Sequence, residues 1–128
     1  MKIILVADDS PIIRKVARRL LTDMGFVVTE AESGDQVLSA CRDNMPDAII
    51  LDWDMQGENS VELIPQILRM PNGSNCTIIF CTSEMMVLEM TRAKRAGAAG
   101  FMMKPFNRKI LAAKLAEVDI MPVALPAA

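Results

Sequence analysis

The sequence predicts an α/β fold: a five-stranded parallel sheet, doubly wound, with five helices distributed over both faces. Three observations predict it. Five apolar runs of four to six residues alternate with longer segments of helical spacing. That alternation demands parallel strands joined by right-handed helical crossovers. The chain has 128 residues, 52% of them hydrophobic and 23% charged, which suits one domain with a substantial core.

The first run, Lys2–Ala7, is rich in branched residues and reads as a buried strand. Ser10-Pro11 supplies a helix cap followed by proline at the first helical position. Ile12, Ile13, Val16, Ala17, Leu20 and Leu21 continue that helix, and Gly25 closes it. Phe26–Thr29 is the second strand. Ser33 caps a second helix carrying Val37, Leu38 and Cys41, which Met45-Pro46 breaks. Ala48–Leu51 is the most continuously apolar run and therefore the central strand, ending at Asp52. A loop from Trp53 to Asn59 leads into a third helix with Val61, Leu63, Ile64, Ile67 and Leu68, whose start Pro65 can shift. Pro71-Asn72-Gly73 is a turn. Thr77–Cys81 is the fourth strand, Glu84–Ala96 the fourth helix, and Gly97 its end. Gly100–Met103 is the fifth strand. Pro105 opens a last helix running to about Val118. One domain made of these elements spans residues 1–118, and Asp119–Ala128, with Pro122 and Pro126, reads as a loose tail with no output domain.

Composition removes several chemistries. There is no histidine, which excludes Ser-His-Asp and Cys-His sites, His-bearing zinc sites and a phosphohistidine carrier role. Net charge is -2, so no global basic field marks a nucleic-acid or membrane-surface binder. Direct DNA binding and membrane association are not expected. Cys41, Cys76 and Cys81 match no metal-knuckle spacing and sit in apolar contexts, which points to structural thiols in a reducing cytoplasm. The apolar start is stopped by Asp8-Asp9, too early for a signal core or a span. The uncharged stretch Met70–Ser83 contains Pro71, Asn72 and Gly73 and is no membrane helix.

In an open parallel sheet the ligand crevice lies beyond the carboxyl ends of the strands. Asp8 and Asp9 follow the first strand, Asp52 the third, Thr82 and Ser83 the fourth and Lys104 the fifth. Taken singly, each has a bland reading as a helix cap or a solvated turn residue. Taken together, they bring three carboxylates to one rim, where either a carboxyl pKa rises or a cation joins them. Hard oxygen ligands without His or Cys point to Mg²⁺, Mn²⁺ or Ca²⁺. Lys104 and Thr82 complete an electrostatic clamp for a transferring phosphoryl group, with Asp52 the best-placed nucleophile.

The segments Val6-Ala7-Asp8-Asp9-Ser10, Ile50-Leu51-Asp52-Trp53-Asp54-Met55, Phe80-Cys81-Thr82-Ser83 and Ala96–Phe106 resemble those of the two-component response regulator receiver domains, over about residues 2 to 118. The resemblance implies a flavodoxin-like sheet of strand order 2-1-3-4-5. It implies that Asp52 accepts a phosphoryl group from a sensor histidine kinase or phosphotransfer protein. It further implies Mg²⁺, with Mn²⁺ a substitute, on Asp8, Asp9, Asp52 and the backbone carbonyl of Trp53. Thr82 and Phe101 would be the switch pair, Lys104 the partner of the phosphoryl oxygen, and Lys104–Pro105 a cis bond aiming that lysine.

The sequence departs from the family pattern at Gln56, often proline there, and at Ser60, often glycine. Asp54 and Glu84 stand where residues tune phosphoryl-group lifetime, so altered autodephosphorylation is expected. Phe101 has no hydroxyl, so its switching rests on packing. With no output domain expected, output falls to a downstream effector on the fourth helix, fifth strand and fifth helix. There Met85, Met86, Val87, Leu88 and Met90 cover more of a helix than one buried face needs, either as a wide core stripe or as an exposed adaptable docking patch. Arg92, Lys94 and Arg95 read as a solvated basic face. A monomer or weak dimer is expected, catalysing only its own phosphorylation and dephosphorylation. Two rival readings are a small Mg²⁺-dependent phosphohydrolase, with Asp52 as nucleophile and Asp54 as acid, and an unphosphorylated scaffold.

Overall fold

A computed structural model of the protein describes residues 1–56, 58–84 and 86–122, with Glu58 described by its backbone alone. Five strands form one parallel sheet: β1 (Ile3–Ala7), β2 (Val27–Ala31), β3 (Ala48–Asp52), β4 (Thr77–Thr82) and β5 (Gly100–Met103), in the order β2-β1-β3-β4-β5. β3 is central and buried along its whole length. β2, at the edge, exposes three of its five residues. The helices between them are α1 (Pro11–Asp23), α2 (Gly34–Asp43), α3 (Leu63–Leu68), α4 (Val87–Ala96) and α5 (Arg108–Glu117).

Strand side chains alternate between faces, and the two faces carry separate cores. Leu5, Ile49, Leu51, Ile78 and Phe80 pack with Val37 and Cys41 of α2, Ile64 and Ile67 of α3 and Ala93 of α4. Ile4, Val6, Ile50, Ile79 and Cys81 pack with Ala17 and Leu21 of α1 and Leu111 and Leu115 of α5. Ile12 and Val16 of the first helix stay on its outer side.

The caps explain the boundaries. Ser10 accepts from the Ile13 N–H at 3.3 Å and starts α1, and Ser33 accepts from the Gln36 N–H at 3.2 Å and starts α2. Gly25 and Gly97, after α1 and α4, adopt φ of +98° and +121°, which favour glycine, and there the chain turns back toward the next strand.

Several elements differ from the sequence expectation. The second strand begins at Val27 and extends to Ala31, while Phe26 is buried in the connection. Within the loop after β3, Asp54–Met55 pairs antiparallel with Glu58–Asn59 in a small hairpin. Val61 then lies in a 3-10 turn, Ser60–Glu62, capped by the Asn59 side chain, and the α-helix starts at Leu63. α4 starts at Val87 instead of Glu84, because Thr82 Oγ1 accepts from the Glu84 N–H at 3.1 Å and donates to the Glu84 carbonyl at 2.8 Å. Those bonds close a tight turn where helix was expected. α5 starts at Arg108, not Pro105, because Asn107 accepts from the Ile110 N–H at 2.9 Å and sets the first turn. The expected loose tail begins as packed chain: the Ile120 N–H donates to the Leu115 carbonyl at 2.8 Å and its side chain is buried in the core beneath α5. Residues 123–128 of that tail lie outside the described residues. Among the described residues no helix is long and apolar enough to cross a membrane.

Candidate functional site

Parallel pairing sends the carboxyl ends of the strands to one edge. Ala7 lies opposite Leu51, Asp52 opposite Cys81, and Thr82 opposite Met103. Asp8, Trp53, Ser83 and Lys104 therefore leave the sheet together. Asp52 closes the fully buried β3 and is only 5% exposed; Asp8 is 3% exposed.

The Lys104 ammonium binds both acids, donating to Asp52 Oδ1 at 2.8 Å and to Asp8 Oδ2 at 3.0 Å. Its backbone N–H donates to the Thr82 carbonyl at 2.8 Å, which ties the residue to the end of β4. The Lys104–Pro105 bond is cis. Asp8 is held from other directions as well. Its Oδ1 accepts from the Ser10 N–H at 2.9 Å, and its carbonyl accepts from the Arg14 guanidinium at 2.7 Å. Arg14 is itself held by Glu30 at 3.2 Å. Asp9 is exposed, and its Oδ2 accepts from the Gln56 N–H at 2.9 Å. One carboxylate oxygen from each of Asp8, Asp9 and Asp52 lies within 4.8 Å of the others.

The charges do not balance among these residues. Burial pushes the Asp52 carboxyl up to about 6; the Lys104 bond opposes this, and Asp8 and Asp9 add to it. Burial pulls the Lys104 ammonium down, but its bonds to Asp52 and Asp8 outweigh that and leave its pKa raised. One ammonium, bonded to two of the acids, thus faces a cluster of three carboxylates. An all-oxygen set with surplus negative charge fits a hard divalent cation.

The other sequence-predicted residues fall at varied distances from this centre. Among the described residues the Trp53 carbonyl accepts one hydrogen bond, from the Ser60 N–H at 3.0 Å, and a carbonyl oxygen carries a second lone pair that a ligand can use. Thr82 is buried, with its hydroxyl turned to the Glu84 backbone. Phe101 is half-buried, 6.4 Å from Phe80 between ring centroids, beside a small hollow also lined by Trp53, Thr82, Met86 and Met90. Asp54 and Glu84 are exposed and stand outside the acidic cluster. Met86 and Val87 are exposed, with Val87 at 79% and neighbouring Leu88 at 68%, whereas Met90 is half-buried. Met85 lies outside the described residues. Arg92, Lys94 and Arg95 are exposed. Burial pushes the Cys41 thiol up to about 11 and those of Cys76 and Cys81 to about 12, so all three stay protonated and unreactive at neutral pH. A wide groove of about 520 Å³ between α2 and α3, lined by Asp35, Leu38, Met55 and Leu63, contains none of the clustered carboxylates.

Three contacts around the site have no counterpart in the sequence reading: Arg14 on the Asp8 carbonyl, Gln56 on Asp9, and Glu89 on the Trp53 indole. Arg14 and Glu89 belong to no motif in the sequence; each is one charged residue within a helical segment. Gln56 does carry a signal, as a departure from the family pattern, but its backbone N–H makes the contact.

The family of response regulator receiver domains, by its characteristic sequence pattern, matches residues 4–116. The chain is 28% identical to the chemotaxis protein CheY of Pseudomonas aeruginosa over 116 residues, covering 90% of this chain and 94% of that protein. It is 29% identical to chemotaxis protein CheY-3 of Vibrio cholerae over 116 residues, covering 90% of this chain and 89% of that protein. Among solved structures, CheY4 of Vibrio cholerae superposes with a TM-score of 0.87 at 29% identity, over 92% of this chain and 98% of that one. The receiver domain of NtrX from Brucella abortus superposes at 0.81 with 28% identity, over 91% and 97% of the two chains. Sequence pattern and fold agree: this chain belongs to the response regulator receiver domain family, and its structure is CheY-like.

Proposed function

We propose that the chain is a phosphorylation-controlled switch in which Asp52 takes a phosphoryl group from a phosphohistidine on a sensor kinase or phosphotransfer protein. The observation that carries this reading is the Lys104 ammonium bound to two buried carboxylates, with a third acid in the same cluster. In the transfer, an Asp52 carboxylate oxygen forms a bond to phosphorus, the phosphorus–nitrogen bond breaks, and the departing imidazole takes up a proton. With its pKa at about 6, Asp52 is mostly ionised at neutral pH and available as the nucleophile. Lys104 stays protonated and brings positive charge to where phosphoryl charge accumulates. Asp8, Asp9, Asp52 and the Trp53 carbonyl would hold Mg²⁺, or Mn²⁺ in its place, which supplies further neutralisation of the phosphoryl oxygens.

The modification adds roughly two negative charges beside Lys104. That gives Thr82 a reason to leave the Glu84 backbone, and gives Phe101 a reason to repack into the hollow beside Met86 and Met90. The effector would read this at the exposed start of α4, Met86 to Leu88. Asp54 and Glu84, exposed beside the site, would tune how long the phosphoryl group survives. This reading makes the chain a cytoplasmic protein that catalyses only its own phosphorylation and dephosphorylation, contacts no DNA directly, and is a monomer or weak dimer.

Acetyl phosphate labelling tests it. With Mg²⁺ the protein gains a single acid-labile phosphoryl group, seen by intact-protein mass spectrometry. EDTA and the D52N substitution each abolish it. A label that persists in D52N rejects Asp52 as acceptor.

A further inference from the structure

Asp9 is the exposed member of the acidic cluster, and exposed carboxylates ordinarily sample several rotamers. Its partner among the described hydrogen bonds is the Gln56 N–H, on Oδ2 at 2.9 Å. Gln56 sits at the turn of the hairpin after β3, 47 residues away in sequence. Its φ is +55°, a left-handed conformation uncommon for a residue with a side chain. That conformation lets the residue 56 N–H reach the acidic cluster while the side chain of Gln56 itself stays exposed. Asp8 and Asp52 need no such help, since burial and Lys104 already hold them.

We propose that Gln56 is a positioning residue for the metal centre: its backbone N–H fixes the Asp9 carboxylate at the cluster before the cation arrives. This rests on the metal-binding reading above. A metal-ligating carboxylate oriented by an outer hydrogen bond loses about 10–100-fold in metal affinity when that donor is removed. The contribution comes from the peptide N–H, so the identity of the side chain at 56 matters little provided the residue keeps its N–H and accepts positive φ. Glycine does both, whereas proline does neither.

Two measurements decide it. In metal-free protein, hydrogen exchange by NMR reads the Gln56 amide in wild type and in D9A. Protection at least about 10-fold greater in wild type is expected, since an exposed turn amide is otherwise unprotected; equal rates overturn the contact. Mg²⁺ titration, followed by calorimetry and by fluorescence of Trp53, then compares wild type, Q56G and Q56P. Q56G should bind Mg²⁺ within about threefold of wild type, and Q56P about 10–100-fold more weakly. Q56P binding as tightly as wild type, or Q56G as weakly as Q56P, overturns the proposal. If Q56P does not fold, an ester at the 55–56 linkage, which replaces the N–H with oxygen, carries the same expectation and the same penalty for failing it. If wild type itself gives no Mg²⁺ heat, the metal-binding reading falls, while the amide protection still reports whether Gln56 holds Asp9.

Discussion

The indole N–H of Trp53 donates to Glu89 Oε2 at 3.1 Å, which joins the residue after the proposed phosphoacceptor to the third position of α4. The same oxygen accepts from Asn59 Nδ2 at 3.2 Å, and Arg92 approaches the other at 3.4 Å. These bonds hold the Glu89 carboxyl below the usual carboxylate range, first through Trp53 and then through Asn59. The start of α4 has no side-chain cap of its own, and this carboxylate ties its first turn to the loop after β3.

E89A should loosen that tether. Trp53 fluorescence anisotropy should fall, and amide exchange over residues 87–92 should quicken, while exchange in β3 stays unchanged. An indole signal and α4 protection identical to wild type would show that the bond does not restrain the helix.

The Asp52 carboxyl gives stability a definite pH dependence. Its folded-state pKa, about 6, lies above the ordinary 3.8, so the folded protein holds the proton more tightly than the unfolded chain. That stabilisation is complete below about pH 4 and is lost as pH rises through about 6. D52N removes the titration. In EDTA at pH 8, D52N should be more stable than wild type by on the order of 2 kcal/mol, and the gap should close by pH 4. Urea denaturation at the two pH values measures it; a gap independent of pH contradicts the assignment.

K104M strands Asp8 and Asp52 without their ammonium. Without divalent ions at pH 8 the loss should be about 2–3 kcal/mol, since an unpartnered buried carboxylate is costly. Lys104 lowers the Asp52 pKa, so its removal should push that pKa higher still and make the loss smaller in acid. Millimolar Mg²⁺ should restore part of the stability. Thermal melts with and without Mg²⁺ check both parts.

Ser60 presents a different cost. Its Oγ is buried and has no hydrogen-bond partner among the described residues, while its N–H serves the Trp53 carbonyl. S60A keeps the backbone bond and removes the orphan hydroxyl. It should stabilise the fold by about 1 kcal/mol, read from the urea midpoint.

The exposed start of α4 separates output from phosphorylation. V87D and L88D alter side chains that stand mostly in solvent, so stability should change by about 0.5 kcal/mol or less. Acetyl phosphate labelling should remain as in wild type, while binding of an effector recovered with the beryllofluoride form should weaken. Loss of labelling in these variants would tie the surface to the site instead.

Much of this was legible in the residues. Apolar alternation and the Ser10 and Ser33 caps set the strands and the first two helices, because side-chain periodicity and caps are local properties. The start of α4 was not legible. Glu84 to Met86 suit a helix by composition, but the Thr82 hydroxyl captures the Glu84 backbone and delays it. Pro105 suggested a helix start that the Asn107 cap places three residues later. Ile120 read as tail because its burial depends on packing against Leu111 and Leu115 of α5 in the folded core.

The sequence by itself determined which acids, which lysine and which threonine stand at the strand ends, since strand ends and side-chain chemistry follow from pattern and identity. Only the tertiary structure decided how they engage. The two hydrogen bonds of the Lys104 ammonium, the grip of Gln56 on Asp9 and the reach of Glu89 to Trp53 all join residues at least 36 positions apart. Such contacts depend on backbone conformations and hydrogen-bond directions that come into being only when the whole sheet closes around them.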